Sequence, residues 1–60
     1  MQTYDEFAEL ARICAKNSWT ADSKEVSAAL WKMALEYQRK AAEIDSGKLP
    51  EIGKPPPWLG

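Results

Sequence analysis

The sequence predicts an all-α fold: an antiparallel two-helix hairpin with an extended, proline-rich C-terminal tail. Three observations carry this reading. Two stretches show apolar residues at helical spacing, a short polar loop separates them, and a glycine followed by prolines ends the second. Sixty residues allow one domain and a small core, so a chain of this length needs a staple, unusually good packing or a partner. Cys14 is the single cysteine and the chain has no histidine, so neither an internal disulfide nor a zinc site is expected. Packing or a partner remains.

The first helix is expected over about residues 3–17. Thr3 and Glu6 have the spacing of a capping box, and Asp5 and Glu6 suit the positive end of the helix dipole. At about 100° per residue, Tyr4, Phe7, Ala8, Ala11, Cys14, Ala15 and Ser18 share one face, with Leu10 at its edge. Cys14 therefore reads as a small buried hydrophobe, since no histidine is present to activate a nucleophile. Ile13 points away from that face.

KNSWTADS reads as the connecting loop, rich in residues that compete for backbone hydrogen bonds. Asp22 and Glu25 have capping-box spacing, with Thr20 and Ser23 as competing caps. Trp19 is expected to fold over the end of the core. So short a loop makes the helices antiparallel.

The second helix is expected over about residues 23–45. Val26, Ala29, Leu30, Met33, Ala34, Tyr37, Ala41 and Ile44 form the face expected to pack on the first helix. Glu25, Lys32, Glu36, Arg39, Lys40 and Glu43 form a charged face, where Glu36 precedes Lys40 by four residues in the favourable order. A second apolar stripe of Ala28, Trp31, Leu35 and Ala42 lies on the remaining side, with Gln38 at its edge. A two-helix hairpin cannot bury both stripes, so another copy, the tail or a different protein should cover the second.

Residues 1–46 thus read as the hairpin and residues 47–60 as a Pro/Gly-rich tail. Gly47 suits the left-handed position after a helix end, and Pro50 confirms the stop. Beyond it Leu49, Ile52, Trp58 and Leu59 are large and apolar, and Pro55, Pro56 and Pro57 favour an extended polyproline shape. The tail reads as disordered, as folded back on its own hairpin, or as an arm for a partner. Four large apolar residues argue against simple disorder. If it folds back, the Trp31–Leu35 stripe is the expected landing site.

FAELARIC and LWKMALEYQRKAAE together resemble a group of short, uncharacterised helical hairpin proteins of rhizobia and related bacteria. Phe7, Leu10, Ala11 and Cys14 fit the first part of that pattern. Leu30, Met33, Ala34, Glu36, Tyr37 and Ala41 fit the second. The resemblance runs from Phe7 to Glu43 and leaves out Trp31 and the tail. It implies a hairpin and a bacterial source, and it implies no activity.

The expected function is a small non-catalytic protein–protein interaction module, homo-oligomeric or an accessory subunit of a larger assembly. A dimer with four helices is its simplest form. The expected contact residues are Ile13, Trp31, Leu35, Ala42, Leu49, Ile52, Trp58 and Leu59. No catalytic, cofactor-binding or metal-binding residue is expected, and no cofactor or small-molecule substrate. The carboxylates stand among lysine and arginine, no E-x-x-H pair exists, and Gly47 and Gly53 form no phosphate loop.

A small nucleic-acid-associated regulator is the alternative. Its weakness is the mixed charge: 8 basic residues stand against 9 acidic ones and form no basic patch for phosphates. A peripheral membrane hairpin, inserting Trp31, Leu35, Trp58 and Leu59, lacks strongly basic flanks. The longest apolar run is AALW, so no membrane span is expected, and MQTYDEF shows no secretion signal. The expected location is the cytoplasm.

Overall fold

The computed structural model describes residues 3–59; Met1, Gln2 and Gly60 lie outside the described residues. The fold is an all-α, antiparallel two-helix hairpin. Helix α1 spans Tyr4–Thr20 and α2 spans Lys24–Ile44. The chain after α2 holds a single 3₁₀ turn, Pro57–Leu59, and is otherwise irregular.

The start of α1 follows its local chemistry. Glu6 N–H donates to Thr3 Oγ1 at 3.3 Å, and Thr3 N–H donates to Glu6 Oε1 at 3.2 Å. Two otherwise unpaired helix-terminal donors are thereby satisfied. The end of α1 differs from expectation. The helix continues through Asn17, Ser18 and Trp19 to Thr20, so Trp19 stands on the last helical turn and not in a loop. Thr20 Oγ1 donates to the Asn17 carbonyl at 3.3 Å, which satisfies one of the carbonyls that a helix end leaves without an N–H partner.

Only residues 21–23 connect the helices. Ser23 is the cap of α2, accepting the Val26 N–H at 3.1 Å. The expected Asp22–Glu25 box is not used, because Ser23 lies one residue closer to the first helical turn. The expected Glu36–Lys40 ion pair is also not formed. The ion pair among the described residues is Arg12–Glu9 at 3.8 Å, on open surface where such pairs contribute little.

Helix α2 ends in a six-to-one bond, Gly47 N–H to the Ala42 carbonyl at 2.7 Å, as in a Schellman closure. The residue directly after the cap Asp45 is Ser46, at φ 50°, and Gly47 follows at φ 89°. Two successive left-handed residues turn the chain back along α2. Gly47 was expected in the first of these positions; a serine occupies it.

The core is made of small side chains. Ala8, Ala11, Cys14 and Ala15 of α1 are buried against Ala34, Ala41 and Ala42 of α2. Ser18 and Ser27 are fully buried with them. Small residues along a seam let two helix backbones approach closely. The aromatic and large aliphatic residues flank this seam: Phe7 stacks with Tyr37 at 6.2 Å between ring centroids, and Trp31, Tyr37 and Ile52 pack against Cys14, Ala15 and Ala34.

The two left-handed residues give the first testable expectation. A Cβ at Gly47 would meet no atom within 4 Å, so the cost of Gly47→Ala is conformational: about 1–2 kcal/mol. Ser46→Gly should stabilise by about 0.5 kcal/mol, the relief of left-handed strain less the entropy glycine loses on folding. Chemical denaturation of the two variants should move the midpoint in opposite directions.

Candidate protein-interaction surface

The surface is defined by which side of α2 remains open, and the seam decides that. The fully buried residues Ser27, Ala34 and Ala41 recur every seven residues. Leu30, Trp31, Tyr37 and Gln38 beside them are half-buried. This buried face is rotated by about 70° from the one that the large apolar residues suggest. The rotation turns Trp31, Gln38 and Ala42 inward and turns Val26, Ala29, Met33 and Ile44 outward.

Ser27 is the reason the rotation holds. Its Oγ–H donates to the Ser18 carbonyl, in the last turn of α1, where carbonyls lack helical partners. The same Oγ accepts the Trp58 indole N–H at 2.8 Å. Ser18 Oγ in turn donates to the Ala15 carbonyl at 2.6 Å. A single buried hydroxyl thus joins α1, α2 and the C-terminal segment.

That segment lies along the hairpin through further contacts. Gln38 Nε2 donates to the Pro50 carbonyl at 2.9 Å, and Trp19 Nε1 donates to the Lys54 carbonyl at 3.1 Å. Trp19 and Trp58 meet edge to face at 5.7 Å between centroids. Pro50 is buried, and Pro56 is the largest fully buried side chain. Both indole donors and Gln38 are thus occupied by the chain itself.

The contact residues expected from sequence are therefore dispersed. Trp31 and Ile52 are half-buried beside the core, and Ala42 is buried. Leu59 is half-buried. Ile13, Leu35, Leu49 and Trp58 are exposed, with Leu49 the most open at 59%. They do not assemble into one stripe on α2.

A different set does. Val26 (50% exposed), Met33 (43%) and Ile44 (50%) lie along one line of α2, with the half-buried Leu30 and Tyr37 between them. The steps Val26–Leu30–Met33–Tyr37–Lys40–Ile44 are 4, 3, 4, 3 and 4 residues, the alternation of a coiled-coil seam. Lys40 is the only charge in this line. Met33, Glu36, Tyr37 and Lys40 line a hollow of about 140 Å³ on it. A larger, shallow hollow of about 320 Å³ lies at the interhelical turn, between Trp19, Trp58 and residues 21–24. Val26, Met33 and Ile44 were expected on the face packed against α1, and Lys40 on the charged face; the structure places all four along one open line.

Cys14 takes no part in either surface. It is 8% exposed, and burial pushes its thiol above the ordinary value. Among the described residues, no three histidine, cysteine, aspartate or glutamate side chains gather where they could hold a metal ion, and no helix is long and apolar enough to cross a membrane. Comparison of the chain with protein-family models, curated proteins and solved structures gave no match.

Two expectations follow from this geometry. Trp31→Ala should destabilise the fold itself, by about 1–3 kcal/mol for a half-buried indole, and a denaturant titration at low protein concentration should show it. Neutral Cys14 is favoured in the folded state, so its contribution is intact below the unfolded thiol's pKa. Above that pH the unfolded state releases its proton first, and stability falls as pH rises. Urea midpoints between pH 7 and about 10.5 should therefore decline less steeply for Cys14→Ala than for the parent chain.

Proposed function

We propose that this chain is a small non-catalytic protein–protein interaction module, acting as a homo-oligomer or as an accessory subunit of a larger assembly. The observation that carries the reading is the open line Val26–Met33–Ile44 on α2. Three large apolar side chains in register are each at least 43% exposed on a chain of 60 residues. Exposed apolar residues scattered singly need no explanation, but an aligned stripe on one helix marks a docking face. Its heptad spacing selects a helix as what docks there, because only a helix presents side chains at matching intervals.

The rest of the reading is consistent with this. The Trp31 side, the other candidate surface on α2, is occupied by the chain's own residues 50–58. A four-helix arrangement would cover the open line while leaving the C-terminal segment on the outside. The resemblance of FAELARIC and LWKMALEYQRKAAE to rhizobial hairpin proteins forms part of the proposal, as does a cytoplasmic location. The mixed charges on α2 give no support to a nucleic-acid role, since Glu36 and Glu43 stand among its lysines and arginine.

The test is site-specific photo-crosslinking in living cells that make the protein. A photoreactive residue replacing Met33 should give defined protein adducts, and one replacing Arg39 on the charged face should give none. If neither position yields an adduct to any protein, the chain's own copies included, the interaction reading is wrong.

A further inference from the structure

We infer that the occupant of the open line on α2 is α2 of a second copy, packed antiparallel about a two-fold axis midway between Met33 and Tyr37. This rests on the interaction reading above and goes further by naming the partner and its orientation. The line from Val26 to Ile44 covers about 27 Å at 1.5 Å per residue, nearly the full length of the 33 Å molecule. A partner helix must therefore match it along most of its length.

Self-pairing in the two possible directions differs in one residue. In a parallel pair each position meets its own copy, so Lys40 would face Lys40 on an apolar seam. Two like charges there would repel and lose water together. In the antiparallel pair Val26 faces Ile44, Met33 faces Tyr37, and Lys40 faces Leu30. The Lys40 stem then lies on leucine while its ammonium reaches the rim, one turn from Glu36 of the same helix. Glu36 of each copy falls near the axis, and the adjacent Lys40 offsets that repulsion. The Met33 thioether meets the Tyr37 ring, a favourable contact. Antiparallel α2 helices also set each dipole against the opposite end of the other.

Size sets the strength. The molecule measures 33 × 21 × 13 Å between its outer Cα atoms, so one long flank presents roughly 430–690 Å² in projection. Stable interfaces take about 800 Å² from each partner. The pair is therefore a weak one, with dissociation in the micromolar range or above, and Lys40 is the residue that weakens it.

Sedimentation equilibrium of the full chain from about 1 μM to 1 mM tests this, the range in which so small an interface dissociates. A reversible monomer–dimer equilibrium is expected. Lys40→Leu should tighten it at least tenfold, and Met33→Glu should loosen it at least tenfold with the helical circular dichroism unchanged. Orientation is read in a Cys14→Ala background. A mixture of Val26→Cys and Ile44→Cys chains should form the mixed disulfide readily, and Val26→Cys alone should not. A monomer at every concentration, for the parent and Lys40→Leu alike, overturns the second copy as partner. So does a dimer indifferent to Met33→Glu. Preferential Val26–Val26 cross-linking overturns the antiparallel orientation. If the chain is monomeric while the photoreactive residue at position 33 captures a different protein, only the inference of self-pairing falls. If neither position 33 nor position 39 captures any protein, the interaction reading falls with it.

Discussion

The hydroxyl of Ser27 is the constraint on which the rest of the structure depends. It is fully buried, and it donates to the open carbonyl of Ser18 at the end of α1 while accepting from the indole of Trp58. A buried hydroxyl left without partners costs roughly 1–3 kcal/mol, so a serine here must find them. Its position on α2 therefore fixes which side of that helix faces α1 and which side faces the C-terminal segment. No buried side-chain polar atom among the described residues is left without a partner, and this relay is part of the reason.

The small-residue seam and the fold-back of the chain support one another. Alanine and serine along the line of contact bring the helices together but bury little apolar area themselves. The larger groups must then work from the flanks. On one flank Ile52, Pro50, Pro56 and Trp58 add a third layer, held by Gln38 and Trp19 as donors to backbone carbonyls. A prolyl segment suits this use, because its ordering cost is low and its carbonyls stay free to accept. This is how the chain gains area without a disulfide. On the other flank no segment among the described residues follows, and Val26, Met33 and Ile44 stay open. Which apolar surface stays open is thus a consequence of where residues 50–58 lie.

Much of this was legible in the residues. The hairpin, its antiparallel sense, the Thr3–Glu6 box, the buried face of α1 and the turn at Gly47 all follow from local spacing and cap chemistry. The α1 face was readable because its apolar and small residues coincide. On α2 they do not: the large residues lie at Val26, Met33 and Ile44, and the small ones at Ser27, Ala34 and Ala41. Hydrophobic periodicity weights size and so selects the wrong side. The same bias placed Trp31 at an outer surface, although its indole packs against Cys14, Ala15 and Ala34. The bond that corrects both readings joins Ser27 to Trp58, residues far apart in sequence.

What the sequence by itself determined lies within a turn or two of chain: the two helices, the Thr3–Glu6 box that opens α1 and the stop before Pro50. It did not set the end of α1, which runs on to Thr20 and leaves only residues 21–23 as the connection. The tertiary structure alone decided the rotation of α2 by about 70° and the covering of one flank by the C-terminal segment. It therefore also decided which apolar stripe remains open. The physical reason is that helix periodicity reports that a face is apolar, while the choice between two apolar faces is made by backbone approach and by where a buried hydroxyl finds its partners.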